Sequence, residues 1–109
     1  MAFFLMRCLH HPGKDADRDR IRPEHRQWVG SGGGGMVAVL IGSAMQDDTG
    51  ASIGNWGILE ARTAGDAHSF AEGDPFNKAG IVSKIDITPL PDGFQADRIG
   101  NPMSPRLDG

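Results

Sequence analysis

Four residues in this chain of 109 combine side-chain type and spacing in a way that could do chemistry. His25 lies on the stripe Ile21, His25, Trp28, Val29, spaced i, i+4, i+7 and i+8, which is one face of an α-helix. An imidazole on an apolar face needs a partner for its ring nitrogens. Asp74 is wedged between Gly73 and Pro75, just past the end of a second helical pattern, where the helix dipole disfavours a carboxylate. If the two helices lie side by side, a His25–Asp74 pair relieves both difficulties. A carboxylate facing an imidazole sets its tautomer and raises its basicity, as a general acid or base requires. Arg22, one turn from His25, could hold an anionic substrate oxygen, and Ser43 could belong to the wall of the same pocket. Two plainer readings stay open: a buried histidine satisfied by hydrogen bonds, and a turn-forming aspartate before proline.

Other motifs point away from chemistry. The run Gly30-Ser31-Gly32-Gly33-Gly34-Gly35 formally fits G-x-G-x-x-G, but it follows a helix and opens a strand. The dinucleotide fingerprint needs the reverse order. His10-His11 precedes a proline turn, and four histidines with one cysteine are a thin supply for the three or four ligands of a metal centre. No metal and no cofactor is expected. Cys8 sits in an apolar run and reads as a buried, inert thiol. The charge alternation Asp15–Arg20 reads as a solvated surface.

The elements that must position these residues follow from periodicity. Residues 2–9, AFFLMRCL, are apolar on both parities and predict a central strand. A helix is expected over roughly 17–31, its main part starting near Arg22 because Pro23 is tolerated only in a first turn. Residues 36–46 and 53–61 predict two strands joined by a polar turn. Thr63 with Asp66 predicts the cap of a helix over about 64–72, and residues 81–88 alternate as a fourth strand. The order β-α-β-β-α-β is the ferredoxin-like α+β pattern: a four-stranded antiparallel sheet with two helices on one face. Residues 1–90 form that domain. Residues 91–109 carry three prolines and three glycines without periodicity and read as an extended arm or tail. The far sheet face, apolar and without a helix, predicts a second copy of the chain packed sheet to sheet as a homodimer.

Composition narrows the class of partner. The net charge is −3, whereas nucleic-acid-binding domains carry a basic face and a pI above roughly 9. Residues 1–31 hold six basic against four acidic side chains, a net of +2, which could attract a small anion. No stretch approaches the roughly 20 apolar residues of a membrane span, and the start lacks the pattern of a signal peptide. Neither nucleic acid nor membrane is an expected partner, and the expected address is the cytoplasm. A single cysteine fits a reducing compartment.

Arg22-Pro23-Glu24-His25, then Gly73-Asp74-Pro75-Phe76 with Lys78-Ala79-Gly80, then Ile85-Asp86-Ile87-Thr88-Pro89 resemble the YciI-like (YCII-related) proteins in order, spacing and total length. The resemblance covers roughly residues 2–90. It implies a dimeric α+β barrel assembly and a pocket holding His25 and Asp74 as a pair. One activity in that family is dehydrochlorination of a chlorinated hydroxyhydroquinone, so the resemblance implies cofactor-free lyase or isomerase-type proton chemistry on a small ring. The alternative is a non-catalytic module of the same fold that binds a small ligand or a protein. Gly42-Ser43-Ala44 departs from the family, where many members read Gly-Pro.

Overall fold

The computed structural model describes residues 1–108. Four antiparallel strands, β1 (Ala2–His10), β2 (Val37–Gln46), β3 (Ser52–Ala61) and β4 (Val82–Pro89), form one sheet in the order β2-β3-β1-β4. Helices α1 (Asp15–Gly30) and α2 (Ala64–Gly73) complete the expected ferredoxin-like order, and a one-turn helix α3 (Pro75–Lys78) follows α2 directly. β1 lies between β3 and β4, as its two apolar parities predict.

The core lies between the sheet and the helices. Phe4, Met6 and Cys8 of β1 face it together with Leu59 and Ala61 of β3 and Val37 and Val39 of β2. Ala67, Phe70 and Ala71 of α2 pack onto them, and Trp28 and Val29 of α1 close the side. Two bulges set which residues point inward. The register slips between Leu9 and His10 against β4, so Val82 and Ile85 both reach the core although their parities differ. A second slip between Val39 and Ile41 turns Ile41 outward, where it is 41% exposed.

α1 starts at Asp15, not near Arg22, and Pro23 sits inside it. The first two turns hold because acidic residues precede basic ones by three positions: Asp15–Arg18, Asp17–Arg20 and Asp19–Arg22 all pair. Asp15 and Asp17 also complement the helix dipole. These terms offset the hydrogen bond that Pro23 removes. After α1 the chain reverses through Gly32–Gly35, each with φ between +61° and +90°, a region that glycine alone enters freely. The glycine run is thus a left-handed turn into β2.

The expectation of an outer face without cover is corrected. Residues beyond β4 fold back across the sheet, where Phe94, Ala96, Ile99 and Leu107 cover Ala38 and Leu40. The same segment then bonds to the edge of β2. Val39 N donates to Ser104 Oγ at 2.7 Å, and Val39 O accepts from Met103 N and Ser104 N. Arg106 grips the buried Glu60 through two bonds of 3.0 and 2.7 Å, and Leu107 N adds a third of 3.0 Å. The Arg106 bonds hold the Glu60 carboxyl below the usual carboxylate range. What stays open on this face includes Ile41, opposite Ile58, so pairing of two copies would bury that part, not the whole face.

Arg106→Ala should leave Glu60 buried without its counter-charge. Breaking a fully buried pair costs about 3–5 kcal/mol. Arg106 is 38% exposed, so the expected loss is about 2 kcal/mol, read from urea denaturation. Limited proteolysis should at the same time release the segment after residue 91.

Candidate active site

α1 presents His25, and the junction of α2 with α3 presents Asp74. The backbone makes Asp74 the C-cap of α2 and the N-cap of α3 at once. Pro75 occupies the first position of α3, where its fixed φ suits a helix start. The dipole objection is therefore corrected: the carboxylate faces the N-terminal end of the next helix, and its Oδ1 accepts from Phe76 N at 2.8 Å. The same Oδ1 lies 2.8 Å from His25 Nδ1. The two side chains are 15% and 6% exposed. A carboxylate can only accept, so Nδ1 of a neutral His25 carries the proton and Nε2 keeps its lone pair. The Phe76 ring stacks flat on the imidazole, with centroids 4.0 Å apart and planes within 4°.

Beyond Phe76 lies a second polar group that sequence reasoning missed. His10, at the end of β1, meets the Phe76 ring edge-on at 5.6 Å. Its Nδ1 accepts from Arg18 Nη1 at 3.3 Å, and its Nε2 lies 2.9 Å from Asn55 Oδ1. Arg18 is buried and also paired with Asp15. The reading of residues 15–20 as a solvated alternation is thus corrected at Arg18. The signal was present: Arg18, Arg22, His25 and Val29 lie at i, i+4, i+7 and i+11, one stripe of α1. His10 shares the inward parity of Phe4, Met6 and Cys8 on β1.

A cleft of about 390 Å³ opens between α1 and the β2–β3 half of the sheet, lined by His25 from the first polar group and by His10, Arg18 and Asn55 from the second. Its volume suits a single substituted ring. Arg18, Arg22 and Arg26 all border it. Arg22 is tied to Asp19 at 2.6 Å. Ser43 borders the cleft too, but its hydroxyl donates to the Ala44 carbonyl at 2.9 Å. Cys8 lies beneath, and burial pushes its thiol up to about 12, with the Asp74 charge adding to the effect. Among the described residues, no three His, Cys, Asp or Glu side chains converge as metal ligands. None of the described helices is long and apolar enough to cross a membrane.

Burial is the main reason that His10 titrates below the ordinary histidine value of 6.5, against the opposing Asn55 bond and with help from the Arg18 charge. The unfolded chain therefore takes up a proton near pH 6.5 that the folded chain refuses. Stability from this group is complete above that pH and falls as pH drops towards the lower folded value. Urea midpoints should fall between about pH 7.5 and about pH 5.5, and by less in His10→Gln.

The site defines a class: a small ferredoxin-like α+β domain with a histidine–carboxylate pair in an arginine-bordered cleft. The chain belongs to the family described as the YCII-related domain, whose model matches residues 2–91. Among solved structures, it is similar to 5-chloro-2-hydroxyhydroquinone dehydrochlorinase (TftG) from Burkholderia phenoliruptrix AC1100, in complex with 2,5-dihydroxybenzoquinone. The two share 24% identity over 84% of this chain and 95% of that chain, with a TM-score of 0.70, a likeness of fold. A comparison with curated proteins found no match.

Proposed function

We propose that this protein is a cofactor-free acid/base enzyme acting on a small hydroxylated ring, with halogenated hydroquinones as the first substrate class to test. The observation that carries this reading is the 2.8 Å His25 Nδ1–Asp74 Oδ1 bond beside a cleft sized for one ring. His25 Nε2, without a protein partner among the described residues, takes a proton from the substrate. Asp74 stabilises the imidazolium that forms. In a dehydrochlorination, the electron pair left behind expels chloride, so proton and chloride depart together and no redox partner is needed. The bordering arginines favour a phenolate over a neutral phenol. The fold likeness to a dehydrochlorinase complexed with a dihydroxyquinone supports the substrate class.

The test is a panel of chlorinated and non-chlorinated hydroxyhydroquinones, followed anaerobically by chloride release and quinone absorbance. Saturable chloride release above the buffer rate is the expected result. Tight binding of such rings with no conversion of any would instead favour a ligand-binding module.

A further inference from the structure

One residue of the cleft wall comes from outside the family domain. The YCII-related model ends at residue 91, and every described residue bordering the cleft lies within it except Met103. Met103 belongs to the segment that folds back after β4. Val39 holds it in place: the Val39 carbonyl accepts from Met103 N at 2.9 Å and from Ser104 N at 3.1 Å, and Val39 N donates to Ser104 Oγ at 2.7 Å. Val39 itself borders the cleft, so these backbone bonds fix Met103 at the β2 edge of the opening. Met103 is nevertheless 46% exposed. A lone surface methionine means little. One pinned to the rim of a cleft sized for a ring has water to lose when a ring enters.

The rest of this edge is uncharged. β2 brings Val39, Gly42, Ser43 and Ala44 to the cleft, and the Ser43 hydroxyl is bonded to the Ala44 carbonyl. The bordering arginines all come from α1 on the opposite side. A hydroxylated ring that turns its oxygens towards α1 therefore presents its other edge to β2 and Met103. A chlorine suits that place, because it is large and polarisable and asks for no strong hydrogen bond. A thioether side chain has the same character and adapts its shape to what it meets.

We infer that Met103 is the specificity-determining residue of the cleft, its side chain covering the halogenated or otherwise apolar edge of the bound ring. The segment after residue 91 is then part of the binding site. The inference rests on the acid/base reading above, which makes the cleft the substrate site. It assigns ring selection to the segment outside the family domain and leaves proton transfer to His25 and Asp74.

The experiment compares two probes, 2,5-dihydroxybenzoquinone and 2,5-dichloro-3,6-dihydroxybenzoquinone, titrated into wild type, Met103→Ala and Met103→Leu. The probes share their four oxygens and differ by two chlorines. Wild type should bind the dichloro probe more tightly. Met103→Ala should weaken that binding about 10-fold, the worth of one well-placed apolar group, and should change binding of the unchlorinated probe by less than about 3-fold. Met103→Leu keeps the apolar bulk and should recover most of the preference. In wild type, the Met103 methyl signal should shift in ¹H–¹³C spectra as the dichloro probe saturates, a readout that needs no variant. Met103→Ala binding both probes as wild type does, or losing both equally, overturns the inference and leaves the acid/base reading standing. So does a methyl signal that stays unmoved at saturation. No binding of either probe by wild type overturns both.

Discussion

Replacing His25 by glutamine should lower turnover of the best substrate by about 10²–10⁴-fold, the usual worth of a positioned general acid or base. Glutamine keeps a polar group beside Asp74 but has no nitrogen that can take up a proton. Asp74→Asn should cost a comparable factor by another route. Asparagine caps a helix as well as aspartate does, so α3 and the bond to Phe76 N should survive. What is lost is the charge that fixes the proton on His25 Nδ1 and stabilises the imidazolium. The double variant should be little worse than either single one, because both changes disable one unit. Circular dichroism and urea midpoints close to wild type would place the losses in chemistry. If His25 served only to satisfy a buried site, both variants would lower stability and leave turnover untouched.

Phe70→Ala should be the most damaging single change to the fold. Phe70 is fully buried in the centre of the helix–sheet core, and truncating such a ring costs about 3–5 kcal/mol. In a domain of this size that lowers the melting temperature by about 12 °C or more. The damage should reach the site through Trp28. The Trp28 ring lies against Phe70 with centroids 5.8 Å apart, and its Nε1 donates to the Phe70 carbonyl at 3.1 Å. Glycine at position 73 makes this possible, since a Cβ there would stand 2.7 Å from Trp28 Cζ2. Trp28 is one turn from His25, so this contact docks α1 in the position that brings His25 to Asp74. Phe70→Ala should therefore cut turnover even well below its melting point, whereas Phe70→Leu should recover much of both.

The pair at the centre of the site was legible because each partner breaks a local rule. A histidine on an apolar helical stripe and an aspartate held between glycine and proline each ask for a partner. The structure brings the two together. Arg18 was hidden by its neighbours: Asp17, Asp19 and Arg20 share its alternating segment, and the charge pattern outweighs the weaker seven-residue spacing to His25. The start of α1 was misplaced because the cost of Pro23 is visible in sequence, while three acid–base pairs that offset it depend on a helix already formed. The segment after residue 91 has no period to read. Its docking rests on single contacts, Ser104 on Val39 and Arg106 on Glu60, which join residues 65 and 46 positions apart. The β-bulges at Leu9/His10 and Val39/Ile41 leave no mark in hydropathy, yet they decide which residues of β4 and β2 face the core.

The most direct measurement is the ¹⁵N spectrum of the neutral His25 ring, recorded with and without 2,5-dihydroxybenzoquinone. The account predicts a proton on Nδ1 and a bare Nε2 in the free protein, with the Nε2 signal moving on binding. It also predicts that Asp74→Asn, which removes the charge but keeps the accepting oxygen, weakens this preference. A proton on Nε2, or a ring indifferent to the bound quinone, would contradict the assignment of His25 as the base.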